Sequence, residues 1–388
     1  MKLLVIVSRV PYPLDKGDKL RAFNQIKQLS KKHQIILFAL NDSILDPDAQ
    51  AELKKYCRAI KILRFSKITI FFNLVRSLFS GLPFQVGYFY FDEAQKKIDE
   101  LIQKHQPDHI YCQLIRTAEY VKGYPNIPKT LDYMDVFSKG MERRKNTEPF
   151  YMKPLLWLEF KRLLKYERKV FGYFNNKIII SEQDKNLIQH PEKAQIKVVP
   201  NGVDTDFFVP VQRRKEFELL FNGNMNYPPN IESVEYLVNK IMPLVWKKLP
   251  GTRLLISGAS PHKRVLAMHS DKVEISGWVD DIRDNFAKCR LLVAPMQISI
   301  GLQNKLLEAM AMQLPCITSP LANNALGAKS GEQILVADNP QQYADAIVLL
   351  LQDETLAKQI ALKGYKYALS NFNWQQTTAL LDNLISQK

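Results

Sequence analysis

The sequence predicts an α/β protein made of two doubly wound, Rossmann-like parallel-sheet units facing each other across a cleft. Length is the first reason: 388 residues exceed one ordinary domain, and suit two of roughly 150 to 200 each. Composition is the second, because 46% hydrophobic and 24% charged residues are those of a globular chain with enough apolar mass for two cores. The third is the pattern: short Ile, Val and Leu runs alternate with helical stretches, as in parallel sheets covered on both faces.

Taken in order, the first half offers strands at Leu3 to Val7, Ile35 to Leu40, Ile60 to Phe65, Ile110 to Cys112 and Lys177 to Ser181, with a further strand ending near Leu131-Asp132. The second half repeats the scheme at Glu218 to Gly223, Arg253 to Gly258, Val273 to Gly277, Leu291 to Pro295, Cys316 to Ser319 and Ile334 to Ala337. Between them, Val199-Pro200-Asn201-Gly202 joins an apolar strand to a strong turn signal. The expected division is therefore 1–195, 196–370 and a terminal helix over 371–388 that packs back on the first domain. Ligands of such units bind at the carboxyl ends of the strands.

Several classes fall away. Met1 to Val7 reads as a strand and not as the start of a signal peptide. Ile68 to Phe91 is broken by Arg76, Gly81, Pro83 and Gly87, whereas a membrane span needs ~20 apolar residues. Cys57, Cys112, Cys289 and Cys316 are too scattered for a zinc site or a disulfide framework. Together these favour a cytoplasmic protein. Dinucleotide, P-loop, zinc-protease and nucleophile-elbow signatures are missing. Asp204-Thr205-Asp206 matches a metal-binding spacing, but it follows a turn and reads as a chance match, so no metal is assigned.

The net charge of +15 is concentrated in the first half, where Met1 to His190 carry 33 Lys and Arg against 20 Asp and Glu. Such asymmetry suits an anionic membrane or nucleic acid, and equally a solvated surface. No nucleic-acid-binding motif accompanies it. Pro154 to Phe171 reads as a basic amphipathic helix, with Leu156, Trp157, Phe160, Leu163 and Leu164 opposite Lys161, Arg162, Lys165, Arg168 and Lys169. The apolar segment after Lys67 either touches lipid or tucks under the first sheet.

The stretch Val293 to Pro320 carries the most chemistry. A strand ends at Pro295, a loop with Gly301 follows, and a helix runs from about Gln303 to Met312. Gly301 allows close backbone approach, and the free amides of a helix start bind phosphate. Lys305 in the first turn can add a charge-assisted contact to a diphosphate. Glu308, among Leu306, Leu307, Ala309, Met310 and Ala311, needs hydrogen-bond donors such as ribose hydroxyls. The alternative is a plain surface ion pair between Lys305 and Glu308, worth ~0.2–0.5 kcal/mol.

GLQNKLLEAMAM resembles the donor-binding helix of the retaining family-4 glycosyltransferases of GT-B fold. Glu308 matches the second glutamate of that family's motif, which grips the ribose; the first falls at position 300, where this chain has Ile300. Arg9 to Pro13 and Gly17 to Arg21 resemble the first loop of the sugar transferases of exopolysaccharide and PEP-CTERM loci. Val199 to Asp204 resembles the start of the family's second domain, and Gly277 to Asp281 its loop beside the base. Phe221 to Tyr227 lacks the Arg and Lys that many relatives use for phosphate, and Met134-Asp135 stands where relatives often carry His-Asp.

The resemblance implies a metal-independent, retaining hexosyltransferase. It takes a UDP- or GDP-linked sugar as substrate, needs no cofactor, and serves a glycan or polyprenyl-linked acceptor at the inner face of the cell membrane. The first domain takes the acceptor and its basic surface contacts anionic lipid. Lys305 and Asp135 are the expected catalytic residues; Gly17, Gly223, Asn224, Gly258, Val279, Arg283, Gly301, Leu302, Gln303, Asn304 and Glu308 are the expected donor contacts. Two other readings are a nucleotide-sugar epimerase on the same scaffold, which needs no acceptor, and a basic nucleic-acid-binding protein.

Overall fold

The computed structural model describes residues 1–147, 149–298 and 301–387, and contains a 7-stranded and a 6-stranded parallel sheet. Contacts group the chain into unit 1, Met1–Pro200 with Thr377–Lys388, and unit 2, Asn201–Gln376.

The sheet of unit 1 holds β1 (Lys2–Val7), β2 (Gln34–Asn41), β3 (Cys57–Arg64), β4 (His109–Gln113), β5 (Lys129–Asp132), β6 (Asn176–Ile179) and β7 (Lys197–Val198) in the order β3-β2-β1-β4-β5-β6-β7. Successive strand residues point to opposite faces, so Leu4, Ile6, Ile36 and Phe38 enter one core while Leu3, Val5, Ile35 and Leu37 enter another. That is why β1 and β2 are apolar without interruption over Leu3 to Val7 and Ile35 to Leu40. Helices α1 (Gly17–Leu29), α2 (Ala49–Lys54), α3 (Lys67–Ser80), α4 (Phe84–Gly87), α5 (Asp92–His105), α6 (Phe137–Thr147), α7 (Lys153–Phe171) and α8 (Glu182–Leu187) lie between the strands.

Unit 2 orders its strands β10-β9-β8-β11-β12-β13, from β8 (Phe217–Asn222), β9 (Leu254–Ser257), β10 (Val273–Gly277), β11 (Cys289–Ala294), β12 (Cys316–Thr318) and β13 (Leu335–Val336). Its helices are α9 (Pro228–Tyr236), α10 (Met242–Lys248), α11 (Lys263–Leu266), α12 (Ile282–Lys288), α13 (Asn304–Ala311), α14 (Pro320–Leu326), α15 (Pro340–Gln352) and α16 (Glu354–Asn371). The last helix, α17 (Trp374–Ser386), starts in unit 2 and joins unit 1 from Thr377. There Leu381 and Ile385 complete the core around β1 and β2, and Asp382 takes hydrogen bonds from Lys32 and His33 at 2.7 and 2.6 Å. In each unit the strand order reverses at the first strand, between β1 and β4 and between β8 and β11. Ligand sites of doubly wound folds lie at such points.

Asp132 has a structural setting. It is fully buried at the end of β5, ion-paired with Arg21 at 2.6 Å and hydrogen-bonded by Tyr111 at 2.7 Å, while Arg21 also reaches the carbonyl of Val199 at 2.9 Å. Asp204 spends its carboxylate on the backbone amides of Asp206 and Phe207, which makes the Asp-x-Asp spacing a turn.

Two helices decide the open questions about lipid-facing segments. No described helix is long and apolar enough to cross a membrane. Helix α3 lays only one side on the core, through buried Asn73 and Ser77 and half-buried Ile70, and Phe71, Phe72 and Phe79 stand exposed. The cause is a small-residue contact with α4, where a Cβ on Gly87 would fall 1.6 Å from the Ser77 hydroxyl oxygen. In α7, Leu156, Leu163, Tyr166 and Val170 enter the core, but Trp157 faces outward with the Lys161 ammonium 3.7 Å from its ring centre.

Candidate functional site

Three strands of unit 2 end in glycines with positive φ: Gly223 after β8, Gly258 after β9 and Gly277 closing β10. Two of them touch. A Cβ on Gly258 would lie 1.7 Å from the carbonyl oxygen of Gly223, so no side chain fits between these turns. Gly223 in turn donates to Ser257 at 3.0 Å and faces the Lys305 ammonium, 3.1 Å from where its own Cβ would be. A bare backbone with a cation beside it is a place where an anion can approach closely.

Lys305 sits in the first turn of α13 and is buried. Its ammonium donates to Asn230 Oδ1 at 2.8 Å, lies 4.2 Å from the centre of the Phe221 ring and faces the Met296 sulfur at 3.9 Å. Burial pulls its pKa down to about 7, against the opposing pull of Glu308. Glu308, one turn on, is half-buried, and burial raises it to about 7 against the attraction of Lys305. No ion pair joins the two among the described residues, which removes the surface-pair alternative. An ammonium desolvated in this way gains most from an added negative charge.

The helix start is held from the domain boundary. Asn201 donates to the Asn304 side chain at 3.1 Å, and Gly202 must be a glycine because a Cβ would meet the Trp374 amide nitrogen at 2.6 Å. Gln303 is the N-cap residue without a side-chain cap bond, Leu302 is buried, and Gly301 takes φ +66. Ile300 lies outside the described residues, and so does Ser299.

Other expected donor contacts are placed differently. Asn224 is exposed and its side chain accepts from the Asn226 amide at 2.9 Å. Arg283 is occupied: its guanidinium binds Asp281 through Nε at 2.9 Å and Nη2 at 2.6 Å, and donates to the Phe207 carbonyl at 3.2 Å. Asp281 is the residue that caps this helix, accepting from the Arg283 amide at 2.9 Å, so the guanidinium is paired with the cap residue of its own helix. Val279 is half-buried in the loop after Gly277.

In unit 1, Asp135 follows Met134, whose φ of +56 is unusual for a side-chain-bearing residue. Asp135 is half-buried, accepts from the Val136 amide at 2.7 Å, and burial raises its pKa against the pull of Arg143 and Arg116. Gly17 opens α1 with nothing within 4 Å of the place a Cβ would take, so no neighbour in the chain requires a glycine there. At the β1/β4 reversal lies a cavity of about 300 Å³ lined by Arg9, Asp42, Leu74, Phe84, Gln85, Tyr88, Phe89 and Arg116. Arg116 is held between the Phe89 and Phe137 rings at 5.1 and 4.7 Å and donates to Gln85 at 3.0 Å. Arg9 pairs with Asp18 at 2.7 Å.

Sequence reasoning missed Asn230, Phe221 and Arg116. Asn230 also donates to the Asn224 carbonyl at 2.9 Å, so it ties Lys305 to the loop after β8. Its only local signal is a place just after Pro228-Pro229 at a helix start.

Residues 216–353 match the family described as Glycosyl transferases group 1, a span that includes Gly223, Asn230, Lys305 and Glu308. The chain is 22% identical over 394 residues to an uncharacterized 44.6 kDa protein in the cps region of Klebsiella pneumoniae, with 96% of each covered. It is 28% identical over 218 residues to D-inositol 3-phosphate glycosyltransferase of Mycobacterium avium, half the length of each. Sucrose-phosphate synthase of Thermosynechococcus elongatus shares the fold at TM-score 0.72 and 14% identity, with 99% of this chain and 98% of that one covered. Anabaena HepE in complex with UDP and glucose does so at TM-score 0.71 and 13% identity, with 99% of both covered. The fold is GT-B, as the resemblance implied.

Proposed function

We propose, from the match of residues 216–353 to the group 1 glycosyl transferases and from the GT-B fold, that the chain transfers a hexose from a UDP- or GDP-linked donor to a glycan or polyprenyl-linked acceptor with retention, in capsule or exopolysaccharide synthesis at the inner face of the cell membrane. The observation that carries this reading is the buried Lys305 ammonium set against the Gly223 backbone at the strand-order reversal of unit 2. The Klebsiella cps-region relative and the UDP and UDP-glucose complexes of Anabaena HepE support it.

In this reading the diphosphate binds between the turn at Gly223 and the amides that open α13. Lys305 meets its charge, and Glu308 accepts from the ribose hydroxyls one turn further on. As the glycosidic bond to the diphosphate breaks, negative charge grows on the leaving oxygen and the sugar becomes oxocarbenium-like. Lys305 is already desolvated and oriented by Asn230, so it stabilises that charge without reorganising. Asp135 and the cavity of unit 1 belong to the acceptor side, where Asp42, Gln85 and Arg116 offer hydrogen bonds and Phe84 and Phe89 offer apolar faces for a sugar. The donor is a substrate here, and no cofactor enters.

Lys305→Ala tests the proposal. Transfer from UDP- and GDP-sugars should fall by ~10²–10³, the usual loss for one charge-stabilising donor. Circular dichroism and the unfolding midpoint should stay near wild type, because shortening the side chain removes a desolvated cation. Undiminished turnover by the variant would refute the assignment.

A further inference from the structure

Arg116 is a cation of unit 1 that no carboxylate answers. It follows β4 in the 3-10 helix Ile115–Val121 and lines the cavity at the β1/β4 reversal. The Phe89 and Phe137 rings lie against its guanidinium, and Nη2 donates to Gln85 at 3.0 Å. Its other N–H groups find no acceptor among the described residues, and Nε is buried as well as unpartnered. Burial pulls its pKa down to about 10, so at neutral pH it stays charged while short of the solvation that water gives a guanidinium.

The charged groups that act on it are Arg9, Asp18, Asp42 and Asp135. Each carboxylate has another partner. Asp18 pairs with Arg9 at 2.7 Å, Asp42 accepts from the Tyr88 hydroxyl at 3.0 Å, and Asp135 accepts from the Val136 amide at 2.7 Å. A desolvated cation without an ion pair is costly to the fold, and an anion brought in by a ligand relieves that cost.

The cavity limits what that ligand is. About 300 Å³ lies at the low end of the ~300–1,000 Å³ usual for small-molecule sites, which leaves room for one ring and not for a chain. Phe84 and Phe89 present apolar faces to such a ring, and Asp42 and Gln85 present groups that hydroxyls can bind. The planar fork of a guanidinium matches a carboxylate, with two parallel donors for two oxygens. A phosphate group carries close to two negative charges, and Asp42 on the same wall opposes the second. At longer range, unit 1 holds 36 Lys and Arg against 22 Asp and Glu, a net +14 whose field draws anionic solutes toward it.

We infer that this cavity takes an acidic sugar, a hexuronate whose carboxylate pairs with Arg116, so that the acceptor of the proposed transfer is an anionic glycan. This rests on the reading of the cavity as the acceptor side. Arg116 then sets specificity, and Asp42 excludes more highly charged sugars.

Saturation-transfer NMR on the full chain at pH 7, without donor, tests this. The probes are methyl glucuronide and methyl galacturonide, the neutral methyl ester of each, methyl glucoside, and glucose 6-phosphate. At least one uronate should bind about tenfold or more tighter than its own ester, the methyl glucoside and the phosphate, as expected for a charge-assisted pair. Arg116→Gln should abolish that preference, and Arg116→Lys should restore only part of it, because an ammonium keeps the charge without the fork. Asp42→Asn should bring glucose 6-phosphate to within about threefold of the uronate by removing the opposing charge. The ester comparison needs no variant, so it holds even if Arg116→Gln fails to fold. The inference is overturned if neither uronate outbinds its ester, if glucose 6-phosphate binds wild type as tightly as the uronates, or if folded Arg116→Gln keeps the preference. Transfer to neutral sugars with no preference for uronates overturns it alone, whereas no transfer from any UDP- or GDP-sugar to any acceptor sinks the proposed function instead.

Discussion

Lys305 and Glu308 are driven toward the same protonation threshold from opposite sides, each by burial, and both reach about 7. The signs give a narrow optimum for binding a nucleoside diphosphate. As pH falls below that value Glu308 gains a proton and stops accepting from ribose; as pH rises above it Lys305 loses the charge that meets phosphate. UDP affinity measured from about pH 6 to about pH 9 should peak near neutrality and fall on each side, approaching tenfold per unit where one proton is linked. Lys305→Met should flatten the alkaline arm, and Glu308→Gln the acid arm. A flat wild-type profile removes both residues from the diphosphate site. Asn230 contributes by orientation, and that explains why it was invisible in the sequence: its importance lies in a partner 75 positions away. Lys305 and Glu308 were legible because one short segment holds both.

Elements were legible where burial on both faces writes an unbroken apolar run. β1 and β2 are of this kind over residues 3–7 and 35–40, as are residues 219–221 of β8 and 291–294 of β11, and β12 also falls within the run expected for it. β7 is only two residues long and leaves almost no periodicity to read. Helix α3 shows a different limit. Its apolar face was evident, but periodicity marks a face without saying whether protein or solvent covers it. The contact of Ser77 with Gly87 decides that, and two small residues ten apart carry no pattern. The pairing of α1 with β5 through Arg21 and Asp132 was likewise beyond reach, since it joins residues 111 apart. Removing one partner leaves a buried charge, so Arg21→Met should cost ~3–5 kcal/mol in urea unfolding, and Arg21→Met/Asp132→Leu should recover part of it. A single variant as stable as wild type argues against a dry, tightly coupled pair.

At the scale of the whole molecule, two repeated α/β schemes and a skewed charge were open to reading from the sequence, and the +14 of unit 1 keeps that skew within one fold unit. What the sequence showed less sharply was where the units exchange chain. Helix α17 begins among unit 2 residues and ends in the core of unit 1 through Leu381 and Ile385, both nearly fully buried. Replacing either by Ala should lower stability by ~2–5 kcal/mol, seen as an earlier denaturant midpoint for probes in unit 1. An unchanged midpoint means that the terminal turns are dispensable.

That arrangement also orders events during synthesis. Unit 2 leaves the ribosome with nearly all of its core, whereas the earlier-made sheet of unit 1 lacks Leu381, Ile385 and the Asp382 contacts to Lys32 and His33 until the final turns emerge. The nascent polypeptide therefore carries an unsealed amino-terminal core throughout translation of the other half, a window in which chaperones and proteases meet the apolar side chains of β1 and β2.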